Sequence, residues 1–323
     1  LEYFQDRKNN EVLLDQLQSE QGARFLRKRN RNIIIKVKGT VPFDDDFKWM
    51  TLGQIKKLIQ LDNKVNMDTR TVISGIPFGN YNSEIVKFYD VIDDKSNLIG
   101  SKMLRSELDN ETSVNTLDEI ISWLTHLKTY YELDVSRKPL KEVRSWERTD
   151  FEIKHINDKF FSVIGVNVEI SNREVTRWHQ PLVAPSQEGL CAFIVKEING
   201  VYHFLVQAKL ECGNFDTLEL APTVQCLTGN YLNENSISTL PFLQYVLSAT
   251  GDNIFFDTLQ SEEGGRFYRE QNRSMIIIAK ESFSEQIPEN YIWMTLNQLK
   301  SFIRFNNYLN IQARSLISAV TFN

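Results

Sequence analysis

The chain has 323 residues, 41% hydrophobic and 24% charged, which is an ordinary globular composition with room for two domains. Its net charge of −5 excludes a global basic field that would attract nucleic acid or an anionic membrane. No apolar run is long enough to span a membrane, no signal peptide is visible, and the three cysteines fit neither a metal site nor a disulfide framework. We therefore expect a cytosolic protein that binds neither nucleic acid nor membrane.

Two distant windows of the chain repeat each other. Residues 13–38 align with residues 255–280, and residues 48–76 align with residues 292–320, at a period of about 242 residues. We call residues 13–76 the first copy and residues 255–320 the second copy. This period is typical of a duplicated domain. Nothing before the first copy corresponds to residues 201–231, so we expect the chain to be a fragment that lacks the front of its first module.

Each copy predicts the same elements in the same order. The apolar positions Val12, Leu13 and Leu17 indicate a helix, and the isoleucine runs that follow indicate a strand in each copy. A second helix is predicted after Thr51 and after Thr295, since either threonine can cap a helix N-terminus. A third helix is predicted over residues 66–76 and 311–320.

The segment between the copies begins with an irregular polar stretch, residues 77–115, which we interpret as a connector with a short helix at residues 83–90. Residues 116–131 predict a longer helix. Pro139 and Trp146 then indicate a structured loop. Strands are predicted over residues 152–158, 159–170 and 173–183, followed by a hairpin that turns at Asn199-Gly200.

Residues 201–231 carry the densest polar cluster. An apolar run reads as a buried strand, Gly213 and Asn214 favour a turn, and Pro222 can open a helix that contains Thr223 and Gln225. A strand that leads through a polar turn into a helix commonly builds a binding site, because backbone N–H groups at a helix start attract anions. A solvated polar surface is the alternative. Many strands with few helices predict an α+β fold with a mixed sheet flanked by helices.

Three windows, residues 155–183, 201–225 and 263–318, resemble the NDP-hexose 2,3-dehydratase family, and the resemblance runs from about Trp123 to Val320. It implies a dTDP-4-keto-6-deoxyhexose substrate in deoxysugar synthesis, and two Nudix-like modules per chain. Cys212 stands where that family usually carries proline. On this basis residues 1–76 form the back half of module one, residues 77–134 a connector with a helix, and residues 135–323 module two.

The diagnostic box of metal-dependent Nudix hydrolases is missing from the sequence. Arg269 and Glu270 are followed by Gln-Asn-Arg-Ser instead of the acidic ladder that holds Mg²⁺. We therefore expect no metal site and no pyrophosphate hydrolysis. Removing the C3 proton of a 4-keto sugar and expelling its C2 hydroxyl needs a base, an acid and a donor to the enolate oxygen, so no cofactor is expected.

Side-chain alternation places His203, Gln207, Lys209 and Glu211 on one face of the predicted strand. We predict Glu211 as the catalytic base, Lys209 as a ligand of the diphosphate or the enolate, and His203 as a further acid–base group. For His203 the alternative is a core histidine satisfied by the backbone. The predicted substrate-binding residues supply donors, cations and stacking rings: Gln207, Asn214, Glu219, Thr223, Gln225, Trp178, Arg266, Tyr268, Arg269 and Asn272.

The arginines of the two copies are alternatives for the diphosphate. Arg266, Arg269 and Arg273 belong to the second copy, and their counterparts Arg24, Arg27 and Arg31 belong to the first. Either set can equally be a solvated cationic face. Three functions remain open: a dehydratase, a sugar-nucleotide-binding module without turnover, and a dimerisation half. In each case we expect a homodimer.

Overall fold

The computed structural model describes residues 2–6, 9–42, 45–76, 99–108, 111–171, 174–227 and 240–322. Within these residues the fold is mixed α+β, as predicted, with a seven-stranded sheet, a four-stranded sheet and a two-stranded ribbon. The strands are β1 Glu11–Ser19, β2 Arg29–Lys36, β3 Trp146–Arg148, β4 Glu152–His155, β5 Phe161–Glu169, β6 Arg177–Pro185, β7 Gly189–Ile198, β8 Val201–Leu210, β9 Leu218–Ala221, β10 Val224–Leu227, β11 Ile254–Ser261, β12 Gln271–Ile278 and β13 Tyr291–Thr295.

Helices cover both faces of the large sheet. On one face the buried side chains of β7 and β8 pack against α4, α5, α7 and α8, and on the other face they pack against the short α6. In the described part of the chain no helix is both long and apolar enough to cross a bilayer. The helices are α1 Glu2–Gln5, α2 Leu52–Ile59, α3 Met67–Ser74, α4 Ile99–Leu108, α5 Leu117–Tyr130, α6 Leu243–Leu247, α7 Leu296–Ile303 and α8 Ile311–Ser318.

The seven-stranded sheet is centred on the β7–β8 hairpin. Its main order is β11-β12-β7-β8-β13, in which β12 and β7 are parallel and the other neighbours are antiparallel. Asn199 and Gly200 turn the hairpin with φ values of 54° and 77°, the left-handed pair that a tight two-residue turn requires. The predicted hairpin is thus confirmed.

Beyond its turn the hairpin opens into a fork, and here one prediction is wrong. β8 pairs with β9 while β7 pairs with β10, so residues 218–227 form two short strands and not a helix after Pro222. Thr223 lies at the fork, where its buried hydroxyl accepts from the Ile194 N–H at 2.9 Å and donates to the Leu205 carbonyl. Because that hydroxyl replaces the lost strand-to-strand bonds, extended chain on both sides of Thr223 is more stable than a helix.

The helix predicted at the start of each copy is also wrong, because the structure has strands β1 and β11 there. The reason is similar. Residues Glu11–Ser19 are strand β1, which pairs with β2 and is further tied to it by two hydrogen bonds from Arg31 to Asp15, both at 2.5 Å. Apolar residues at positions 12, 13 and 17 fit a helix, but the isoleucine-rich β2 needs a partner for its backbone donors and acceptors.

Most of the other predicted helices and strands are present in the structure. Helices α2, α3, α5, α7 and α8, the isoleucine strands β2 and β12, and the three strands β4, β5 and β6 lie where the sequence predicts them. Thr51, Thr116 and Thr295 are N-caps, each in a capping box with the residue three positions on. The short helix predicted at residues 83–90 lies outside the described residues.

The two copies exchange contacts reciprocally. The Gln18 side chain donates to the Ile303 carbonyl and the equivalent Gln260 donates to the Ile59 carbonyl, both at 2.8 Å. Helices α3 and α8 each contribute an arginine that makes an equivalent bond. Arg314 of α8 donates to the Ser19 carbonyl at 2.6 Å, and Arg70 of α3 donates to the Ser261 carbonyl at 2.8 Å. Each copy therefore supplies the helices that satisfy the strand of the other, in the manner of an isologous two-fold interface.

Candidate active site

The end of β8 and the turn after it bring together three of the predicted residues. Gln225, on β10, donates its amide to Glu211 Oε1 at 2.9 Å and accepts with its amide oxygen from Asn310 at 2.7 Å. Lys209 donates to the Gln225 carbonyl at 3.3 Å. The amide of Gln225 is therefore held in one orientation, with its N–H aimed at the carboxyl of Glu211.

Glu211 is a buried carboxyl, only 9% exposed. Burial raises its pKa, against the opposing effects of Lys209, of Arg24, of the Ala23 backbone N–H and of Gln225. A raised pKa makes the ionised carboxyl a stronger base, and the donors around it fix its orientation, as a general base requires.

Glu219 lies one strand further, on β9, and is fully buried. Its Oε2 accepts from the Ser19 hydroxyl of the first copy at 2.7 Å, while its Oε1 has no hydrogen-bond partner among the described residues. Burial raises its pKa to about 7, although Ser19 and Arg314 favour the ionised form. Its position across from Lys209 in the β8–β9 ladder makes it part of the same polar region.

Two further buried carboxyls, Glu262 and Glu270, were not predicted as site residues. Glu262 accepts from Asn272 at 2.5 Å, and burial together with the nearby Glu270 raises its pKa to about 7. Glu270 is also buried, with a raised pKa, and the Arg24 guanidinium opposes that rise. The alignment of the two copies could have indicated Glu262, because it aligns with Glu20, another buried acid.

Three of the six candidate diphosphate arginines already have acidic partners. Arg266 pairs with Glu20 at 2.9 Å and with Glu263 at 3.0 Å. Arg31 and Arg273 each make two hydrogen bonds to an aspartate of the neighbouring strand. Arg269 lies over the ring of Tyr268 with a centroid distance of 5.4 Å. Arg24 differs, because its Nε is buried without a hydrogen-bond partner in the described chain.

His203 lies apart from these groups, toward the hairpin turn of β8. It is fully buried, and its Nε2 accepts from the Val114 N–H at 3.1 Å, so Nδ1 carries the proton and donates to the Val201 carbonyl at 2.9 Å. The alternative considered for this residue, a core histidine satisfied by the backbone, describes what the structure shows. We leave His203 out of the site proposed below.

The remaining predicted residues have mixed surroundings. Asn214 is buried in the turn next to Glu211, and its Oδ1 has no partner among the described residues. Gln207 is half-buried on β8. Trp178, on β6, donates to Gln180 at 2.6 Å, and Tyr268 is exposed, with its backbone N–H bonded to the Val183 carbonyl at 2.7 Å.

Two open clefts, of about 530 Å³ and 380 Å³, lie on the four-stranded sheet, and neither is lined by Lys209 or Glu211. Across the described ranges, no group of three or more His, Cys, Asp or Glu side chains is placed to hold a metal ion.

Comparison with known proteins identifies the family. The model of the NDP-hexose 2,3-dehydratase family matches residues 1–76 and 117–320, and this chain belongs to that family. Three relatives, each named dTDP-4-dehydro-6-deoxy-alpha-D-glucopyranose 2,3-dehydratase, are similar to it. They come from Saccharopolyspora spinosa (43% identical over 99% of this chain and 65% of the relative), Streptomyces violaceoruber (40% over 96% and 65%) and Amycolatopsis orientalis (37% over 99% and 62%). The chain thus spans somewhat less than two thirds of the length of these relatives.

Proposed function

We propose that this protein is a dTDP-4-keto-6-deoxy-D-glucose 2,3-dehydratase of deoxysugar biosynthesis. The observation that carries the proposal is the 37–43% identity to three enzymes of that name over nearly the whole of this chain. The buried carboxyl of Glu211, held by oriented amides and a nearby lysine, supplies the acid–base group that the reaction needs.

The reaction is an elimination beside a carbonyl group. The 4-keto group acidifies the C3–H bond, a base takes that proton, and the electrons form a C2–C3 double bond as the C2 hydroxyl leaves with a proton as water. The resulting enol at C3 becomes a ketone by proton transfer to C2, which gives a 3,4-diketo-2,6-dideoxy sugar nucleotide. No electron acceptor enters this balance.

In this proposal Glu211 is the base for the C3 proton, and Lys209 stabilises the enolate or the diphosphate. The half-buried Lys209 lies near enough to Glu211 to lower its pKa, so one small region contains both the base and a cation. The proposed substrate-binding residues are Gln207, Asn214, Glu219, Thr223, Gln225, Trp178, Arg266, Tyr268, Arg269 and Asn272. Arg266 would have to leave Glu20 or share its charge with that residue in order to bind a phosphate.

We also propose two tandem Nudix-like modules, divided as residues 1–76 for the back half of module one, 77–134 for a connector and 135–323 for module two. The internal repeat and the reciprocal bonds between its copies support this division. A homodimer belongs to the same proposal. Its support is the four-stranded sheet β3-β4-β5-β6, whose faces remain open: of its residues only Leu182 is buried, and Phe151 beside it is 86% exposed.

The decisive experiment replaces the proposed base. Glu211→Gln keeps the shape and the hydrogen bond to Gln225 but removes the proton acceptor, so we expect dTDP affinity to survive while solvent deuterium no longer enters the 4-keto sugar. Loss of a general base lowers rates by about 10²–10⁴-fold, which NMR detection of deuterium at C3 resolves.

The matched control is Glu147→Gln on the exposed β3 strand, which should exchange at the wild-type rate. Normal exchange in Glu211→Gln would assign the base to another residue. Tight dTDP binding by the wild-type protein without any product would instead favour a sugar-nucleotide-binding module.

A further inference from the structure

A loop of the first copy packs directly on the turn that carries Glu211. Residues 20–28 connect β1 to β2, and the loop backbone is bonded twice to Gly213. The Gly213 N–H donates to the Gly22 carbonyl at 2.8 Å, and the Arg27 N–H donates to the Gly213 carbonyl at 2.7 Å. These two bonds fix the loop and the turn relative to each other.

The contact is too close to admit a side chain at either glycine. A Cβ atom at Gly22 would lie 1.9 Å from Asn214 Oδ1 and 2.9 Å from Glu211 Oε2, and one at Gly213 would lie 2.1 Å from the Phe25 carbonyl oxygen. Gly264, the repeat equivalent of Gly22, has no atom within 4 Å of the same position. Close approach is therefore a property of the first-copy loop and not of the repeat.

The same loop brings one hydrogen-bond donor and one positive charge to the buried carboxyl. The Ala23 backbone N–H bonds to Glu211, and the Arg24 guanidinium also favours its ionised form. The Arg24 guanidinium lies over the Phe161 ring, 4.8 Å from its centroid. Its charge lowers the pKa of Glu270 as well as that of Glu211, so it acts on two buried acids of module two. Its Nε is buried without a hydrogen-bond partner among the described residues.

We propose that Arg24, with the loop that carries it, is a positioning residue of the site around Glu211 and that the first copy thereby completes the site of module two. Ala23 and Arg24 favour the ionised form of the Glu211 carboxyl against the effect of its burial, and the loop fixes the turn that carries it. This inference rests on the function proposed above.

The first test compares Arg24→Gln with Arg27→Gln, an exposed residue of the same loop whose backbone bond survives the change. Without the guanidinium, burial acts with less opposition, so the pKa of Glu211 rises. We expect its ¹³C carboxyl titration midpoint to move up by about 0.5–1 pH unit in Arg24→Gln and to stay unchanged in Arg27→Gln. The pH profile of deuterium exchange should move to higher pH in Arg24→Gln, which a folding defect would not cause. An unchanged midpoint for Glu211 in Arg24→Gln would overturn the proposal.

The second test uses the repeat as its own control. Gly22→Ala should displace the side chains of Asn214 and Glu211 and slow exchange about tenfold or more, while Gly264→Ala should leave it at the wild-type rate. Adding Arg24→Gln to Glu211→Gln should change the residual rate no further, because the arginine acts through the carboxyl. Equal rates for the two glycine variants would contradict the proposal. If the wild-type chain shows no exchange while the Glu211 midpoint still moves in Arg24→Gln, the dehydratase proposal fails and the contact with Arg24 stands.

Discussion

The two copies of the repeat carry the same Trp-Met-Thr-Leu sequence in opposite environments. In the second copy Trp293 is 3% exposed on β13, which pairs with β8 along five residues. In the first copy Trp49 is 69% exposed, and residues 47–50 form no strand. The helix that follows is nevertheless present in both copies, with a capping box at Thr51 and at Thr295.

This difference separates local from non-local causes of structure. A capping box and an apolar stripe lie within one stretch of chain, so both copies form the helix whatever surrounds them. A strand needs a partner, and only the second copy has β8 beside it within the described residues. Whether the tryptophan is buried therefore depends on the neighbouring strand and not on the local sequence.

The largest difference between the copies is expected at these tryptophans. Trp293→Ala removes a large buried side chain and should lower the free energy of unfolding by about 3–5 kcal/mol, whereas Trp49→Ala should change it by less than about 0.5 kcal/mol. Urea titrations followed by far-UV circular dichroism measure both without relying on tryptophan fluorescence. If Trp293→Ala does not fold, Trp293→Phe provides a milder loss. Equal losses at the two positions would show that Trp49 is buried in solution.

A second difference is expected at the equivalent acids Glu20 and Glu262. Glu262 has a pKa of about 7, raised from 4.5 by burial and by Glu270, so its stabilising effect is complete below pH 4.5 and lost as the pH rises through 7. Glu262→Gln has no proton to lose. It should therefore raise the free energy of unfolding by about 1–3 kcal/mol at pH 8 relative to its effect at pH 5.

Glu20→Gln should act in the same direction but with a smaller effect. Burial raises the pKa of Glu20 as well, but Arg266 at 2.9 Å opposes that rise, so the ionised form is less destabilising at pH 8 than it is for Glu262. Urea titrations at pH 5 and pH 8 measure both variants. A larger gain between pH 5 and pH 8 in Glu20→Gln than in Glu262→Gln would show that the pair with Arg266 does not offset burial.

The smallest difference is expected at the two caps. Thr51→Ala should cost about 0.5–1 kcal/mol, the usual value of an exposed N-cap. Thr295→Ala should cost about 1–2 kcal/mol, because this threonine is fully buried and also ends β13. Thermal unfolding resolves this difference, and equal costs would indicate that burial adds nothing to the cap.

The sequence predicts the second and third helices of each copy and the Asn199-Gly200 hairpin, because each depends on a local pattern or a short stretch of chain. It also groups Lys209, Glu211 and Gln225 in one polar region, although it places Gln225 on a helix where the structure has strand β10. It fails at β1 and at the fork around Thr223, where the choice of strand depends on partners distant in sequence. His203 shows the same limit: alternation puts it on the correct face of β8, but only the fold shows that Val114 occupies its ring nitrogen. Glu262, Glu270 and the contact of Gly22 with Glu211 are equally beyond a one-dimensional pattern.

The glutamine bonds between the copies constrain how the two halves diverge after duplication. Gln18 and Gln260 donate to main-chain carbonyls at Ile303 and Ile59, and a carbonyl is present whatever side chain that position carries. The helix on the accepting side is thus free to vary, whereas a donor of the same length must remain on the strand. Helices α2 and α7 differ at four of their eight positions, LGQIKKLI against LNQLKSFI, and the strand residues 12–19 and 254–261 also differ at four of eight, while the strand glutamines are identical. Both elements have therefore diverged around a donor position that has not changed.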